Sequence, residues 1–290
     1  MNAPLRPAIL VMGKGGVGKT TVAASLAVLG AETLGEATFV EFGDGEAGRR
    51  ALAGRHAKVE HVVIRPSEAL ARGAAPLFGS ALLAKVVLGN FAMRPLLRAA
   101  PAIRELAMLE SVRQLVAERP RSRVVVDMPA TGHSVAWLRV PRQGRDFLGA
   151  GPLFEMCDRI GRELVAPGRA SIVLVTLPER LVVEETVELA SSIARETGMT
   201  VDRIVVNRMP HALPAGAMDA ARALAETGGE TSAAAAALLP VLRAREETRS
   251  EAIASLDALR LDHAIWRVPL LAGDPQAADV ADWLRVEGAR

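Results

Sequence analysis

The residues best suited to chemistry stand in a glycine-rich stretch near the start of the chain, Gly13–Thr20, which reads GKGGVGKT. It follows the hydrophobic run Ile9–Met12 and precedes a helical pattern, which is the context in which such a loop binds phosphate. Glycines let successive backbone N–H groups turn inward around phosphate oxygens, and the helix that follows adds its positive end. Lys19 would contact the β- and γ-phosphates of a nucleotide, and the Thr20 hydroxyl would be a ligand of Mg²⁺. The residues expected around the nucleotide phosphates are Gly13, Lys14, Gly15, Gly16, Val17, Gly18, Lys19, Thr20 and Thr21.

Lys14 is a second lysine in the same loop. The chain has only four lysines, at positions 14, 19, 58 and 85, among 35 basic residues. Lys14 comes too early in the loop to sit on the γ-phosphate of its own chain in the usual way, and no carboxylate lies near it in sequence. A narrow ammonium suits a phosphate cradle better than the planar guanidinium used at most other basic positions.

A carboxylate that could complete a magnesium site ends a second hydrophobic run. Val124–Val126 leads directly into Asp127, and a stretch rich in glycine and proline follows. An aspartate at a strand end can hold the Mg²⁺ shell, and the loop after it can respond to the γ-phosphate. The sequence therefore predicts Thr20 and Asp127 as the metal-binding pair.

The loop and the aspartate carry a family resemblance. GKGGVGKT is similar to the deviant phosphate loop of the MinD/ParA-like class of P-loop NTPases, and Asp127–Ser134, DMPATGHS, resembles the DTAPTGHT switch II of the arsenite-pump and tail-anchored-protein-targeting ATPase family. The continuation Trp137–Pro141 is similar as well. The resemblance implies a dimer that sandwiches two nucleotides, in which Lys14 reaches the nucleotide of the partner as an arginine finger does.

Further segments resemble the same family in the same order. The stretch TLPER with a following EET is similar to the family's IPE…ET segment, which implies that Glu179 lies near the nucleotide. VVNR resembles the family's VVNQ strand end, so Asn207 is expected at the adenine ring, and VPLL resembles the loop that closes over the base with Pro269 and Leu270. Pro101–Leu106 is similar to the family's PGIDE stretch.

The first switch departs from the family's STDPA pattern. The corresponding segment is Val40–Glu46, VEFGDGE, and it offers two carboxylates that could activate the attacking water. Asp44 fills this role if the loop is shifted by one residue, and Glu41 is the other candidate. A base must lie within hydrogen-bond reach of the water, directly or through another water. Asp44 is favoured, and a slowly hydrolysing subunit remains open.

Cysteine usage separates this chain from two branches of the family. Cys157 is the single cysteine. The targeting branch has a CxxC zinc pair, but the corresponding Glu230–Leu239 is rich in alanine, so a zinc-stapled homodimer is not expected. The metalloid pumps use three thiolates, a soft-ligand set that one cysteine cannot supply. A lone cysteine also favours a reducing cytoplasm.

Charge and hydropathy exclude other classes. The chain has 35 basic and 33 acidic residues and a net charge of +2, and its pI of about 9.1 overstates a nearly neutral molecule that has no tyrosine. Nucleic acid is therefore not expected as a partner. The longest uncharged apolar stretch, Gly73–Ala84, is shorter than the roughly 20 residues of a spanning helix, and no secretory signal is evident.

The elements that must position these residues alternate between strands and helices. Buried strands are predicted at Ala8–Met12, Thr38–Phe42, His61–Ile64, Arg123–Met128, Ser171–Thr176, Arg203–Asn207 and Ala264–Val268. Helical patterns such as Thr20–Leu29, Glu184–Arg195 and Ala217–Glu226 lie between them. This alternation predicts one α/β domain over residues 1–290, with a doubly wound, mostly parallel sheet.

Two helical intervals, 66–119 and 141–167, interrupt the alternation and predict a helical subdomain on one side of the sheet. The first carries an unusually apolar set, which either packs inside the subdomain or forms a groove for a hydrophobic client or partner. Its members are Leu77, Phe78, Leu82, Leu83, Val86, Val87, Leu88, Phe91, Met93, Leu96 and Leu97.

Together these features predict a cytoplasmic, dimeric ATPase switch that requires ATP and Mg²⁺ and handles a hydrophobic client or partner. The dimer partner is a second copy or a paralogue. Two alternatives remain: an ATPase subunit of an anion or metalloid efflux pump, and a weakly hydrolysing nucleotide-binding scaffold that pairs with a paralogue. The residues expected to carry the phosphate chemistry are Lys14, Lys19, Asp44 and Asp127.

Overall fold

Seven strands form one sheet in the computed structural model, which describes residues 4–54, 58–73, 101–258 and 264–288. The strand order is β3-β2-β4-β1-β5-β6-β7, and every neighbouring pair is parallel. All seven predicted strands are present, and the predicted α/β fold with a parallel sheet is confirmed. The strands are β1 (Ala8–Gly13), β2 (Ala37–Phe42), β3 (Val59–Ile64), β4 (Arg123–Asp127), β5 (Ala170–Thr176), β6 (Val201–Met209) and β7 (Ala264–Pro269).

The strand order brings the chemically interesting residues to one edge. Strand β1 lies between β4 and β5, with Val11 opposite Asp127 and Gly13 opposite Val175. The carboxyl ends of these strands therefore meet beside the glycine-rich loop. In open parallel sheets ligands bind outside the carboxyl ends, where the chain order changes direction.

Helices cover both sides of the sheet in the described part of the chain. They are α1 (Lys19–Leu34), α2 (Glu46–Ala51), α3 (Pro66–Gly73), α4 (Pro101–Glu118), α5 (Thr131–Phe147), α6 (Pro152–Ile160), α7 (Arg180–Thr197), α8 (Ala217–Glu226), α9 (Glu230–Ala258) and α10 (Ala277–Val286). A π-helical turn, Gly161–Val165, follows α6.

Alternate residues of the five inner strands supply two separate cores. Ile9 and Val11 of β1 belong to the core that includes α1 and α10, whereas Leu10 and Met12 belong to the core that includes α4 to α7. All four side chains are completely buried. This two-sided burial explains why the strands read as continuous apolar runs rather than as alternating patterns.

The described parts of the two helical intervals lie over one face of the sheet. Leu106, Leu109 and Val112 of α4 are buried in the same core as the β4 side chains, and α3 contacts α4. Residues 74–100 and the eleven apolar residues named above lie outside the described residues, so the subdomain and its groove stay predictions. None of the described helices is both long and apolar enough to cross a membrane.

One helix continues through a proline, and another begins earlier than the sequence predicts. Helix α9 runs from Glu230 to Ala258 with Pro240 inside it, and the five alanines before the proline favour helix. Helix α5 begins at Thr131, ten residues before the predicted interval 141–167.

Candidate functional site

The glycine-rich loop packs so closely against neighbouring residues that two of its positions accept only glycine. A Cβ atom at Gly13 would collide with the Val175 carbonyl oxygen, and one at Gly18 would collide with the side-chain amide of Asn207. Gly18 also has a φ of 89°, a left-handed conformation that L residues rarely adopt. It directly precedes α1, so the loop delivers its backbone N–H groups to the positive end of that helix.

Lys19 folds back over the loop. Its Nζ donates a hydrogen bond to the Lys14 carbonyl oxygen at 2.8 Å. Burial lowers the pKa of Lys19, and the Asp127 carboxylate opposes that change. A partly desolvated ammonium held against the loop is well placed to bind the phosphate oxygens that the loop would enclose.

Thr20 and Asp127 lie together, as the sequence predicted for the metal-binding pair. The Thr20 hydroxyl donates to Asp127 Oδ2 at 2.6 Å. Burial raises the pKa of Asp127 to about 6, against the Thr20 hydrogen bond and the Lys19 charge, while Glu41 adds to the rise. Glu41 lies opposite Asp127 in the β2–β4 register, which accounts for its effect.

The donor atoms of this pair fit Mg²⁺. Asp127 Oδ1 is buried and has no hydrogen-bond partner among the described residues. Mg²⁺ prefers oxygen ligands and keeps several waters, so one hydroxyl and one carboxylate beside a phosphate are sufficient protein ligands. A cation would give the Oδ1 atom the partner that it lacks among the described residues.

The two carboxylates proposed for water activation have different surroundings. Asp44 is exposed, and its Oδ1 accepts a hydrogen bond from the Glu46 backbone N–H at 2.9 Å. Glu41 is buried, its Oε2 accepts from the Gly48 backbone N–H at 2.7 Å, and its Oε1 lies 3.4 Å from His61 Nε2. Asp44 is therefore the more accessible of the two, whereas Glu41 is buried and accepts a hydrogen bond from the backbone of α2.

Lys14 has a partner that its neighbourhood in sequence did not reveal. Its Nζ lies 2.9 Å from Oε1 and 2.8 Å from Oε2 of Glu185, a residue of α7 that is 171 positions away. Both side chains are about half exposed, at 47% and 51%. The EET segment was noticed in the sequence, but no feature of the sequence assigned Glu185 to Lys14.

The residues expected at the base lie at the ends of β6 and β7. Asn207 is buried, and its Nδ2 donates to the Val17 carbonyl oxygen at 2.8 Å, so this hydrogen bond helps to hold the phosphate loop in place. Pro269 ends β7, and the exposed Leu270 lines an open, largely apolar cleft of about 710 Å³. The adenine contacts of Asn207, Pro269 and Leu270 stay predictions. The other residues that line the cleft are Pro210, His211, Arg245, Thr248, Leu271 and Ala272.

Glu179 stands at the entrance to α7. It is exposed, and its backbone carbonyl accepts the first hydrogen bond of the helix, from the Val183 N–H at 2.9 Å. This position is at the carboxyl end of β5, on the same edge as the phosphate loop. Its proximity to a nucleotide stays a prediction.

The fold and these contacts define an α/β protein of the P-loop NTPase type, in which a glycine-rich loop, an oxygen pair and two lysines meet at the carboxyl edge of a parallel sheet. No family model matches the chain. The chain is similar to the ATPase BagA of Mycobacterium tuberculosis (strain ATCC 25618 / H37Rv), at 26% identity over 220 residues that cover 69% of this chain and 64% of that protein.

Two further mycobacterial proteins match with the same identity and coverage. They are Mb3704 of Mycobacterium bovis and MT3781 of Mycobacterium tuberculosis (strain CDC 1551 / Oshkosh), both named provisionally as ATPases. The match spans less than two thirds of the length of these relatives. The likeness supports an ATPase and does not distinguish among families of ATPases.

Proposed function

We propose that this chain is a Mg²⁺-dependent ATPase that binds ATP in the loop Gly13–Thr20. The observation that carries the proposal is the joint placement of Lys19, Thr20 and Asp127, since the loop, the hydroxyl and the carboxylate lie at adjacent strand ends in the arrangement that nucleotide hydrolysis uses. The sequence similarity to mycobacterial proteins that are named as ATPases also supports it.

The roles of the residues follow from their positions. Backbone N–H groups of the loop bind the phosphates, and Lys19 neutralises charge that accumulates on them. Thr20 and Asp127 would hold Mg²⁺, and the cation would offset the negative charge of the phosphates. Asp44, the accessible carboxylate after β2, orients the attacking water.

In this proposal the ATPase works as a dimer of the arsenite-pump and tail-anchored-targeting type. Lys14 supports this, because its half-exposed ammonium is bound to Glu185 of α7 rather than to a group of its own loop. In the dimer Lys14 reaches the nucleotide of the partner. ATP binding and hydrolysis would then change the arrangement of the two subunits and the affinity for a hydrophobic client. The apolar residues of the interval 66–119 are the candidate client-binding segment.

Steady-state ATP turnover with and without Mg²⁺ tests the enzyme. Lys19→Ala is expected to lower turnover by about a hundredfold or more, as the loss of one charged donor to a transition state does. Lys58→Ala is the matched control, because Lys58 is an exposed lysine that precedes β3 at the opposite edge of the sheet. Unchanged turnover in Lys19→Ala, or a wild type that binds no MgATP, contradicts the proposal.

One observation favours a second candidate, a nucleotide-binding scaffold with slow turnover that pairs with a paralogue. Both carboxylates near the first switch accept backbone hydrogen bonds, Asp44 from Glu46 and Glu41 from Gly48, so neither is free of the protein. MgATP binding with a turnover that does not rise with subunit concentration would favour this candidate over the homodimeric enzyme.

A further inference from the structure

The ion pair between Lys14 and Glu185 joins the phosphate loop to α7. The ammonium contacts both carboxylate oxygens, and the Lys14 backbone carbonyl simultaneously accepts the hydrogen bond from Lys19. Both lysines of the loop are therefore held by oxygen atoms of the protein. A nucleotide phosphate would have to replace these contacts.

The position of Glu185 is fixed by buried contacts rather than by the ion pair itself. The hydroxyls of Thr186 and Thr176 lie 2.9 Å apart and are buried, and this pairing ties α7 to the end of β5. Strand β5 lies beside β1, where Gly13 faces Val175. Glu185 precedes Thr186, so this buried pairing fixes the part of the α7 backbone from which the Glu185 carboxylate reaches Lys14.

We infer that Glu185 is a positioning residue that holds Lys14 within its own chain, and that the phosphates on a partner subunit take the place of the Glu185 carboxylate when two chains assemble. The inference rests on the proposed function. It adds a competition between two anions for one ammonium, because Glu185 holds Lys14 until the phosphates of a partner replace it, and this raises the subunit concentration that MgATP-dependent assembly requires. A carboxylate and a phosphate are both natural acceptors for an ammonium, so the exchange conserves the pairing of Lys14.

The size of the effect is bounded by the exposure of the pair. Solvent-exposed ion pairs shift equilibria by up to about fivefold, and a symmetric dimer breaks two of them, which gives up to about 25-fold for assembly. Removing the carboxylate is therefore expected to lower the subunit concentration for half-maximal turnover by between about twofold and about 25-fold. Turnover per assembled dimer is not expected to change.

Glu184 offers a matched control on the same helix. It is 52% exposed, as Glu185 is 51% exposed, and it pairs with Arg180 of its own helix at 2.9 Å rather than with the loop. Glu184→Gln and Glu185→Gln thus remove the same charge from adjacent positions. Glu185→Asp keeps the charge on a shorter side chain and is expected to restore part of the wild-type behaviour.

The contact itself can be tested without nucleotide. The four lysines give few signals after reductive methylation with ¹³C-formaldehyde, so the Lys14 methyl resonance can be assigned by Lys14→Arg. Glu185→Gln is expected to shift this resonance in the nucleotide-free protein, and Glu184→Gln is expected to leave it in place. An identical Lys14 resonance in wild type and Glu185→Gln overturns the inference.

The competition is tested by ATP turnover as a function of subunit concentration, with MgATP-dependent dimerisation followed by analytical ultracentrifugation. A lower half-maximal concentration in Glu185→Gln but not in Glu184→Gln supports the inference, and equal values overturn it. A wild type that binds no MgATP contradicts the proposed function and removes the competition with it. That failure is distinct, because the nucleotide-free spectra would still show the ion pair.

Discussion

At the scale of single residues, Asp127 places a carboxylate in a buried position that is unfavourable for the stability of the folded protein. A buried oxygen without a partner costs free energy, and this cost is tolerated where a ligand supplies the missing contact. Asp127 Oδ1 is such an atom, and Glu41 on the neighbouring strand increases the penalty for ionising the carboxyl group. This cost supports the proposal that the pair Thr20–Asp127 binds a cation.

Asp127→Asn is therefore expected to stabilise the nucleotide-free protein while abolishing Mg²⁺-dependent turnover. A neutral amide is less costly to bury than a carboxylate, and its oxygen can still accept the Thr20 hydrogen bond. We expect the melting temperature to rise by roughly 2–6 °C, measured by calorimetry without nucleotide. A lower melting temperature than the wild type would show that the carboxylate is satisfied in solution.

The pH dependence provides the control for that experiment. The pKa of Asp127 in the folded protein is about 6, above the ordinary value of about 3.9, so the folded state retains a proton that the unfolded state has lost between these values. The contribution of this group to stability therefore falls as the pH rises from about 4 to about 6. Asp127→Asn should lack this part of the pH profile.

At the scale of elements, the sequence predicted strands better than helix bounds or side-chain partners. Strands β1 and β5 are apolar on both faces, and a run of that kind has few alternatives in a chain that alternates with helices. The start of α5 and the continuity of α9 through Pro240 depend on local conformations that composition does not determine. The contact of Lys14 with Glu185 arises only when β5 and α7 are placed beside β1.

Substitution of Gly18 tests whether the junction between the loop and α1 requires a glycine. Gly18→Ala places a Cβ atom against the Asn207 amide at a φ of 89°, and it is expected to destabilise the nucleotide-free protein by about 1–3 kcal/mol. Gly15→Ala is the matched control, because a Cβ atom there meets no atom within 4 Å. The measurement is chemical denaturation, and equal losses in the two variants would contradict the predicted collision.

The contribution of Asn207 can then be separated from that of the backbone. Asn207→Ala in the Gly18→Ala background removes the colliding amide but leaves the left-handed φ, so it is expected to recover only part of the loss. Asn207 also holds the Val17 carbonyl, and Asn207→Ala alone should weaken MgATP binding even if the residue never touches adenine. Binding measured by calorimetry reports this effect.

At the scale of the whole molecule, the sheet order concentrates function at one edge while the surface charge stays nearly balanced. The net charge of +2 gives no broad attraction for polyanions, so anion binding depends on the local loop, the N-terminus of α1 and the two lysines. Of these groups, Lys14 is exposed and pairs with Glu185 of α7. This pairing is compatible with the proposed dimer, in which one chain would supply a phosphate site and also a lysine for another.

Lys14→Ala should therefore separate nucleotide binding from assembly. A single chain is expected to bind MgATP with an affinity within about threefold of the wild type, since an exposed ion pair contributes little. MgATP-dependent dimerisation and turnover should both be lost, because the partner's phosphates would lack the lysine that offsets their charge at the interface. Arg180→Ala, which removes a more exposed cation at 78% exposure from the same helix that carries Glu185, is the control and should retain both. If Lys14→Ala keeps turnover and dimerises as the wild type does, then Lys14 acts only within its own chain and the sandwich arrangement is wrong.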